Sequence, residues 1–472
     1  GPTAAQPGPT QLTQAAATQA APTATAAPTT ETPVAAATAQ PECSKLPLAQ
    51  SILVLGGYTP AYPNDPRNLL TATDPANGLP ACGYASFSFL RPMGQAFSKD
   101  RKSLAIVEYR DENYSDGVLH LIDLEAWKVV TTTITLNGQA NAIAFDPSGT
   151  RLAIAYSGPF TDTNQTYSLL TADLASQKVL ARRDLGFTPT LMRYTPDGTG
   201  VILFGGTYSA PFGSKPLAHA ALLNAQDLKT AWEPALNGVW DGFAQPKTGS
   251  GDYIFDSWNP AAVLSPGGEA LYVVHSDEDR LTRVDFARRS VSTLPIKPKL
   301  SWLERLLGTS VAYAKGQNGV TKQAAFSKDG KRLFVTGILN KTEIDAQGNW
   351  LFSQTPLGLQ VIDPATGAEL DKLDVQGTDI ILSPDGSRLV LLGWKDDKSW
   401  IDVVSLDPVR LIAHIDGQSI SPAWVLNGQT AWLYTAPPSA MVSLVDPLTL
   451  PPQGSGQGKK WWMGGYALLP EP

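Results

Sequence analysis

The stretch S-P-D-G-S-R-L-V-L-L, from Ser383 to Leu392, places a four-residue turn signal directly before an apolar run. In such a turn Pro presets φ at the first central position, Asp hydrogen-bonds its own backbone, and Gly accepts a positive φ. A tight turn of this kind between two apolar segments predicts a β-hairpin. The stretch decides the fold because close variants of it recur along the chain.

Seven units share the pattern of an apolar strand, a tight turn and a second apolar strand. The other turns are Ser98-Lys-Asp-Arg, Asp146-Pro-Ser-Gly, Thr195-Pro-Asp-Gly, Ser265-Pro-Gly-Gly, Ser327-Lys-Asp-Gly and a degenerate Leu426-Asn-Gly. A third strand follows and mostly ends on an aspartate, namely Asp123, Asp173, Asp285, Asp363, Asp407 or Asp446. These aspartates form either a ring of ligands or, as we expect, Asx-turns that lead into a fourth strand.

Four antiparallel strands per unit, repeated at roughly 42 to 70 residues, predict an all-β fold, a seven-bladed β-propeller of four-stranded antiparallel blades. The blades are expected at 94–136, 141–186, 191–236, 261–296, 323–374, 379–415 and 422–450. The last blade has only three clear strands, and an open edge invites pairing with another chain. We expect 51–57 to supply the closing strand, with 461–469 as the alternative, so that one propeller domain spans 43–472.

The units resemble the YVTN/PD40-type propeller repeats, whose consensus runs from S-P-D-G through a strand containing Tyr-Val to V-I-D. Tyr272-Val-Val-His275 is the nearest match to the signature tetrapeptide, and the resemblance covers roughly 94–450. Repeats of this family occur in surface proteins, TolB-like periplasmic proteins and lactonase-like enzymes. The resemblance therefore implies a propeller and leaves the activity open, and no catalytic residue is carried over from it.

The segment before the repeats has a composition of its own. Residues 1–42 are rich in Ala, Thr, Pro and Gln, which predicts a disordered tether. Cys43 and Cys82 are the only cysteines, and an even count in one region predicts a disulfide in an oxidising compartment. Two unpaired thiols are the alternative. We expect an extracytoplasmic protein (secreted, periplasmic or a cell-surface lipoprotein) that touches a membrane only through an upstream anchor.

The charge pattern excludes one class of partner. The formal net charge is −7, and the basic residues form no cluster, so nucleic acid is not an expected partner. No apolar run approaches the roughly 18 residues that a membrane helix needs.

Loop lengths differ between the two faces of the predicted propeller. The turns from first to second strand are tight, whereas the opposite face carries long connections, including 237–260 and 297–322. The second insertion contains Ser301-Trp-Leu-Glu304, a capping box that predicts a short helix ending at Gly308. Long loops on one side of a rigid scaffold are the usual place for binding residues.

These long loops are acidic and aromatic. Such side chains either hold a cation or a polyol, or form a solvated acidic rim with aromatics covering small loop cores. The candidate ligand-binding residues are Asp111, Glu112, Asp162, Trp240, Asp241, Trp258, His275, Asp277, Asp279, Trp394 and Asp396. No motif predicts a catalytic residue, a metal site or a cofactor. Of the four histidines, only His275 ends a strand beside an acidic loop.

Three functions remain open after these observations. We expect a binding or interaction module that takes a protein, glycan or small-molecule ligand at the loop-rich face. The first alternative is a propeller hydrolase or lyase, lactonase-like or glycan-active, which needs an acid/base set in the central funnel. The second is a structural surface-layer or assembly component.

Overall fold

A tight turn organises each hairpin of the computed structural model. At Ser383 the hydroxyl donates to Asp385 at 2.6 Å and accepts from the Arg388 backbone N–H at 2.9 Å. Gly386 has a φ of 75° and donates its N–H to the Ser383 carbonyl at 2.8 Å. The positive φ explains why glycine recurs at this position, since a Cβ there is strained. The local turn chemistry predicted from the sequence is confirmed.

The structure describes the following residues, all in one unit, Glu42–Pro472: 52–57, 68–73, 80–87, 91–109, 115–158, 166–210, 214–244, 256–298, 319–344, 350–377, 379–383, 385–395, 398–417, 420–424, 431–435, 441–445, 461–462 and 464–467. Every element within them is a strand, and no helix long and apolar enough to cross a bilayer lies among them.

Four sheets are separate blades, each a meander of four consecutive antiparallel strands for which side chains are described. The first is β4 (Arg91–Phe97), β5 (Ser103–Tyr109), β6 (Gly117–Asp123) and β7 (Lys128–Leu136). The second is β8 (Gln139–Phe145), β9 (Arg151–Ser157), β10 (Tyr167–Asp173) and β11 (Lys178–Leu185). The third is β18 (Ala261–Leu264), β19 (Ala270–Val274), β20 (Arg280–Asp285) and β21 (Ser290–Pro295). The fourth is β27 (Asp379–Leu382), β28 (Arg388–Lys395), β29 (Lys398–Leu406) and β30 (Val409–Gly417).

Two further four-stranded sheets are described through their backbone. One contains β31 (Ile420–Trp424), β32 (Ala431–Thr435), β33 (Met441–Val445) and β34 (Trp461–Trp462). The other has the order β3-β2-β1-β35, built from β1 (Ile52–Gly57), β2 (Asn68–Thr73), β3 (Pro80–Phe87) and β35 (Gly464–Ala467). The expected closing strand therefore lies in a different sheet: β1 pairs with β2 and β35, whereas β33 pairs with β34.

An insertion joins two other four-stranded groups into one eleven-stranded sheet. The first group consists of β12 (Thr188–Tyr194), β13 (Gly200–Ala210), β14 (Ala218–Asn224) and β15 (Thr230–Trp232). The second group consists of β22 (Val320–Phe326), β23 (Leu333–Ile344), β25 (Leu359–Ile362) and β26 (Glu369–Leu373). A further strand, β24 (Trp350–Pro356), pairs with β23. The insertion forms β16 (Gly242–Ala244) and β17 (Asp256–Asn259). Strand β16 lies parallel to β13, and β17 lies parallel to β22.

Packing between successive sheets produces the hydrophobic core. Second and third strands such as β5 and β10 are buried along almost their whole length, whereas outer strands such as β11 and β21 are largely exposed. One apolar cluster joins Val107 to Ile154, and another joins Leu203 to Ala155, across neighbouring sheets. The first strands β4, β8 and β12 also contact one another in turn, as do β18, β22 and β27. Radial stacking of this kind is a β-propeller.

The prediction of a seven-bladed propeller with a short helical insertion is wrong. Only four blades with described side chains stand as separate sheets, because the β16–β17 insertion fuses two predicted blades. A further sheet forms from β1 to β3, which carry no copy of the turn phrase. No helix is present among the described residues, and the expected helix at 301–308 lies outside them.

Candidate functional site

The first strands surround an open cavity of about 570 Å³, called here the axial cavity. Its lining comes from β4, β8, β12, β18, β22 and the residues flanking the insertion. The residues with polar side chains are Gln95, Asn141, Thr190, Arg193, Asp241, Asn259, Thr321, Lys322 and Gln323. Asn259 is the last residue of β17, two residues before β18, and Thr321 lies at the beginning of β22. First strands begin on the side of the long connections, called here the loop face, and Asp241, Asn259 and Thr321 line the cavity at that side.

Asp241 is the most strongly perturbed carboxyl group of the cavity. Its side chain is buried, and its Oδ2 has no hydrogen-bond partner among the described residues. Burial raises the pKa of Asp241 to about 7, because a low-dielectric surrounding disfavours the charged form. Its backbone N–H donates to the Pro216 carbonyl at 3.1 Å. A Cβ on Gly206 would collide with the Asp241 carbonyl, so glycine permits β13 to approach this segment.

Lys322 is a buried amine in the wall of the same cavity. Burial lowers its pKa, and the nearby carboxyl groups of Asp279 and Asp277 partly oppose that effect. The pKa of Asp279 is raised by burial, with Lys322 acting in the opposite direction. The axial cavity therefore contains an acid and a base whose charged forms are both disfavoured by their surroundings.

His275 is anchored within its own blade. Its Nε2 and the Thr282 hydroxyl are 2.7 Å apart, and Thr282 in turn lies 2.8 Å from the Thr293 hydroxyl. Burial lowers the pKa of His275. Its Nδ1 and the Ser276 hydroxyl are buried without hydrogen-bond partners among the described residues. The imidazole thus ties β19 to the strands β20 and β21, and its unpartnered nitrogen lies beside the acidic connection 276–279.

A lysine lies between two tryptophans on the same face. Lys215 Nζ is 2.5 Å from Asp277 Oδ2, 5.4 Å from the ring centroid of Trp240 and 6.0 Å from that of Trp258. Both rings are partly exposed. We call Trp240, Trp258 and Asp277 the tryptophan cage. Its members come from the two ends of the insertion and from the connection after β19.

Six of the predicted site residues therefore meet in one region: Trp240, Asp241, Trp258, His275, Asp277 and Asp279. Asp111, Glu112, Asp162 and Asp396 lie outside the described residues, and only the backbone of Trp394 is described. Cys43 is also outside, and only the backbone of Cys82 is described, so the disulfide stays a prediction. Whether any of these residues binds a ligand stays a prediction as well. No group of three or more metal-ligating side chains occurs among the described residues.

Sequence reasoning missed two charged residues of this region, Lys215 and Lys322. Lys322 stands in V-T-K-Q-A-A-F, where a lysine in an alternating strand normally reads as exposed. The partners of Lys215 are distant in sequence, and its loop has no motif. Lys322 is the last residue of the predicted connection 297–322 and Lys215 lies in the connection between β13 and β14, but no motif marks either lysine.

Comparison with known proteins supports the fold and no family. Neither a protein-family model nor a curated protein matches the chain. Among solved structures it is similar to the dihydro-heme d1 dehydrogenase NirN in complex with DHE, with 14% identity, a TM-score of 0.53, and coverage of 92% of this chain and 78% of that one. TolB from Acinetobacter baumannii (15% identity, TM-score 0.37, 79% and 65% covered) and the periplasmic gluconolactonase PpgL of Pseudomonas aeruginosa (13%, 0.43, 77% and 96%) are also similar.

These likenesses concern the fold. Identities of 13% to 15% do not carry an activity from one chain to another. The radial stacking of the sheets and the likeness to the NirN structure support a β-propeller, and no comparison supports a particular repeat family.

Proposed function

We propose that this protein is a binding β-propeller that holds a small polar ligand in the axial cavity on its loop face. The observation that carries the proposal is Asp241, whose buried Oδ2 has no hydrogen-bond partner among the described residues. An unsatisfied buried acceptor costs about 1–3 kcal/mol. A ligand hydroxyl or amine that donates to this atom would recover part of that cost.

The lining indicates the chemistry of the ligand. Asp241 accepts hydrogen bonds, Lys322 donates them, and the amides of Asn141 and Asn259 do both. A cavity of about 570 Å³ lies within the usual range for small-molecule sites. Neutral sugars, sugar acids and their lactones present many hydroxyl groups in that volume. We therefore expect a polyhydroxylated ligand rather than an apolar one.

The test is calorimetric titration of the full chain with a panel of monosaccharides, disaccharides, sugar acids and lactones. Asp241→Asn should raise the Kd of the best ligand at least tenfold, since the amide cannot accept at both positions. Asp227→Asn is the matched control, because Asp227 is an exposed turn residue that pairs with Lys229. Binding that is equally tight in Asp241→Asn, or no binding across the panel, would contradict the proposal.

Hydrolysis is a second candidate function, and it rests on the same carboxyl group. A general base works best with a pKa near the operating pH, and Asp241 has a pKa of about 7. In a lactonase-like or glycan-active reaction it would take a proton from the attacking water. Product formation from the same panel separates the two functions: turnover that rises through pH 7 and disappears in Asp241→Asn indicates an enzyme, and binding without turnover indicates a binding module.

We also propose an extracytoplasmic location. Its support is in the sequence, namely the tether-like composition of 1–42 and the isolated pair of Cys43 and Cys82. Peptide mapping of the protein from its native source, without reduction, would show a Cys43–Cys82 disulfide. Two free thiols would count against this location.

A further inference from the structure

The tryptophan cage has the composition of an ammonium-binding site. Two indole rings and one carboxylate surround a single cationic centre, the Nζ of Lys215. Trp gives the strongest cation–π attraction of the aromatic side chains, and clusters of aromatic rings are the usual receptors for quaternary ammonium groups. Asp277 adds a formal negative charge, and its Oδ1 is buried without a hydrogen-bond partner among the described residues.

The cage and the axial cavity lie on different sides of the same chain segments. Asn259 lines the axial cavity and donates to the Thr321 hydroxyl at 3.2 Å. Trp258 is its neighbour in β17, and successive side chains of a strand point to opposite sides. The lining of the axial cavity includes Asp241 and Asn259 but none of Trp240, Trp258, Asp277 and Lys215. The cage is therefore a second site beside the axial cavity.

The backbone around the cage is fixed independently of the lysine side chain. Leu217 forms a β-bridge with Trp240, and Pro216 accepts from the Asp241 N–H. These contacts hold residues 216–217 beside one end of the insertion, and β17 pairs with β16 and β22 at the other end. Removal of the Lys215 ammonium would thus leave two rings and a carboxylate already in place.

The Lys215 side chain can also move out of the cage. Its side chain is 43% exposed, whereas that of Asp277 is 18% exposed, so the ammonium can swing into solvent without a backbone change. A primary ammonium is strongly hydrated and prefers three hydrogen-bond acceptors. One carboxylate oxygen and two ring faces suit it less well than they suit a methylated ammonium, which has no such requirement.

We propose that the tryptophan cage binds ligands with a quaternary ammonium group, and that Lys215 is a tethered internal occupant which such ligands displace. In the free protein the lysine keeps the cage filled and lowers its apparent affinity. A ligand with a trimethylammonium group competes for the same three side chains. The ligand group would contact these three side chains and not the Asp241 carboxylate, although Asp277 lies near enough to Lys322 to influence its charge.

Titration of the full chain with tetramethylammonium and with choline, followed by tryptophan fluorescence and calorimetry, tests the proposal. Lys215→Ala should lower the Kd for tetramethylammonium at least tenfold relative to the wild type, because the competitor is gone. The double variant Lys215→Ala/Trp258→Leu should lose at least that gain. Lys229→Ala is the matched control: Lys229 pairs with Asp227 at 3.0 Å without an aromatic ring, and its removal should leave the Kd unchanged.

The proposal is overturned if Lys215→Ala binds tetramethylammonium no more tightly than the wild type, or if the Trp258 change leaves the affinity intact. Lys215→Gln, which keeps the aliphatic stem but removes the charge, gives the same comparison if the alanine variant does not fold. Tetramethylammonium has no hydrogen-bond donor for Asp241. Its binding is thus read separately from that of the sugars and lactones that probe the axial cavity.

Discussion

The pKa values of aspartates are shifted in opposite directions on the two faces of the propeller. On the face of the tight turns, Asp100, Asp197 and Asp329 accept a hydrogen bond from the Ser or Thr hydroxyl two residues earlier, which lowers their pKa. On the loop face, burial raises the pKa of Asp241, Asp256, Asp279 and Asp379. The charged form of aspartate is therefore stabilised on the face of the tight turns and destabilised on the loop face.

The difference shows how each face is built. The turn aspartate Asp329 finds its donors two residues away on either side, at Ser327 and Lys331, so the local sequence is sufficient to satisfy it. A loop-face aspartate such as Asp241 is placed by strands that are distant in sequence, and Oδ2 is left without a partner among the described residues. Perturbed carboxyl groups in a cleft are candidates for function, whereas satisfied ones are candidates for stability.

We expect the largest effect on the unfolding free energy from Asp241→Asn, which should stabilise the protein. Folding raises the pKa of Asp241 from 3.8 to about 7, so its ionisation opposes folding. The destabilisation caused by this ionisation is absent below pH 3.8, grows as the pH rises to about 7, and is constant at higher pH. The unfolding free energy of the variant relative to the wild type should therefore increase between pH 4 and pH 8 by up to about 4 kcal/mol. Urea unfolding at a series of pH values measures it.

Asp329→Asn is the control, because its effect on the unfolding free energy should have the opposite sign. The Ser327 hydroxyl and the Lys331 N–H lower the pKa of Asp329, so its ionisation favours folding above the unfolded pKa and that stability is lost in acid. The variant should therefore be less stable than the wild type at pH 8 and equal to it at low pH. A pH-independent difference for Asp241→Asn would contradict the account of the loop face.

Asp146→Ala should be the most damaging single change on the turn face. Asp146 is 2% exposed and accepts from the Ser148 hydroxyl at 2.6 Å and from the backbone N–H groups of Thr150 and Arg151 at 2.8 and 2.9 Å. Burial acts to raise its pKa, but these bonds outweigh it, and the net pKa is lowered. Hydrogen bonds to charged groups contribute about 1.5–3 kcal/mol, and we expect a loss of about 2–3 kcal/mol in urea unfolding at pH 7.

A swapped variant sharpens the result for this turn. In Asp146-Pro-Ser-Gly the aspartate and serine have exchanged the places they hold in Ser383-Pro-Asp-Gly. The double change Asp146→Ser/Ser148→Asp restores the common order and should recover most of the stability that alanine loses. If the double variant is as unstable as Asp146→Ala, the hydroxyl–carboxylate pair is not what holds the turn.

The turn face could be predicted from the sequence because its interactions are local. The Asx-turn interpretation is confirmed at Asp123, which accepts from the N–H groups of Glu125 and Ala126 at 2.9 Å, and at Asp173 and Asp363. Gly149, Gly198, Gly330 and Gly386 all have the positive φ that the turn phrase predicts. Each of these features depends on residues that stand next to one another.

The sheet arrangement and part of the site could not be predicted, because they depend on contacts between distant segments. Strands β16 and β17 read Gly-Phe-Ala and Asp-Ser-Trp-Asn, too short and too polar for a strand pattern, and their parallel partners are β13 and β22. Burial of Lys322 follows from the same packing. Trp240 and Asp277 could be selected from the sequence because they lie in long acidic and aromatic connections, whereas no motif marked Lys215.

The smallest effect is expected where the turn phrase is incomplete, at Ser265-Pro-Gly-Gly. Here the Ser265 hydroxyl donates to Glu269 at 3.3 Å, whereas in the Ser327 turn it donates to an aspartate at 2.6 Å. Gly267→Asp/Glu269→Ser restores the common pattern and removes the carboxylate that a side chain at position 267 would meet. Replacing glycine also reduces the entropy of the unfolded chain, so we expect a gain of about 1 kcal/mol in urea unfolding. Glu269→Ser alone should give no gain, and a double variant no more stable than this single one would mean that the turn phrase does not stabilise the hairpin.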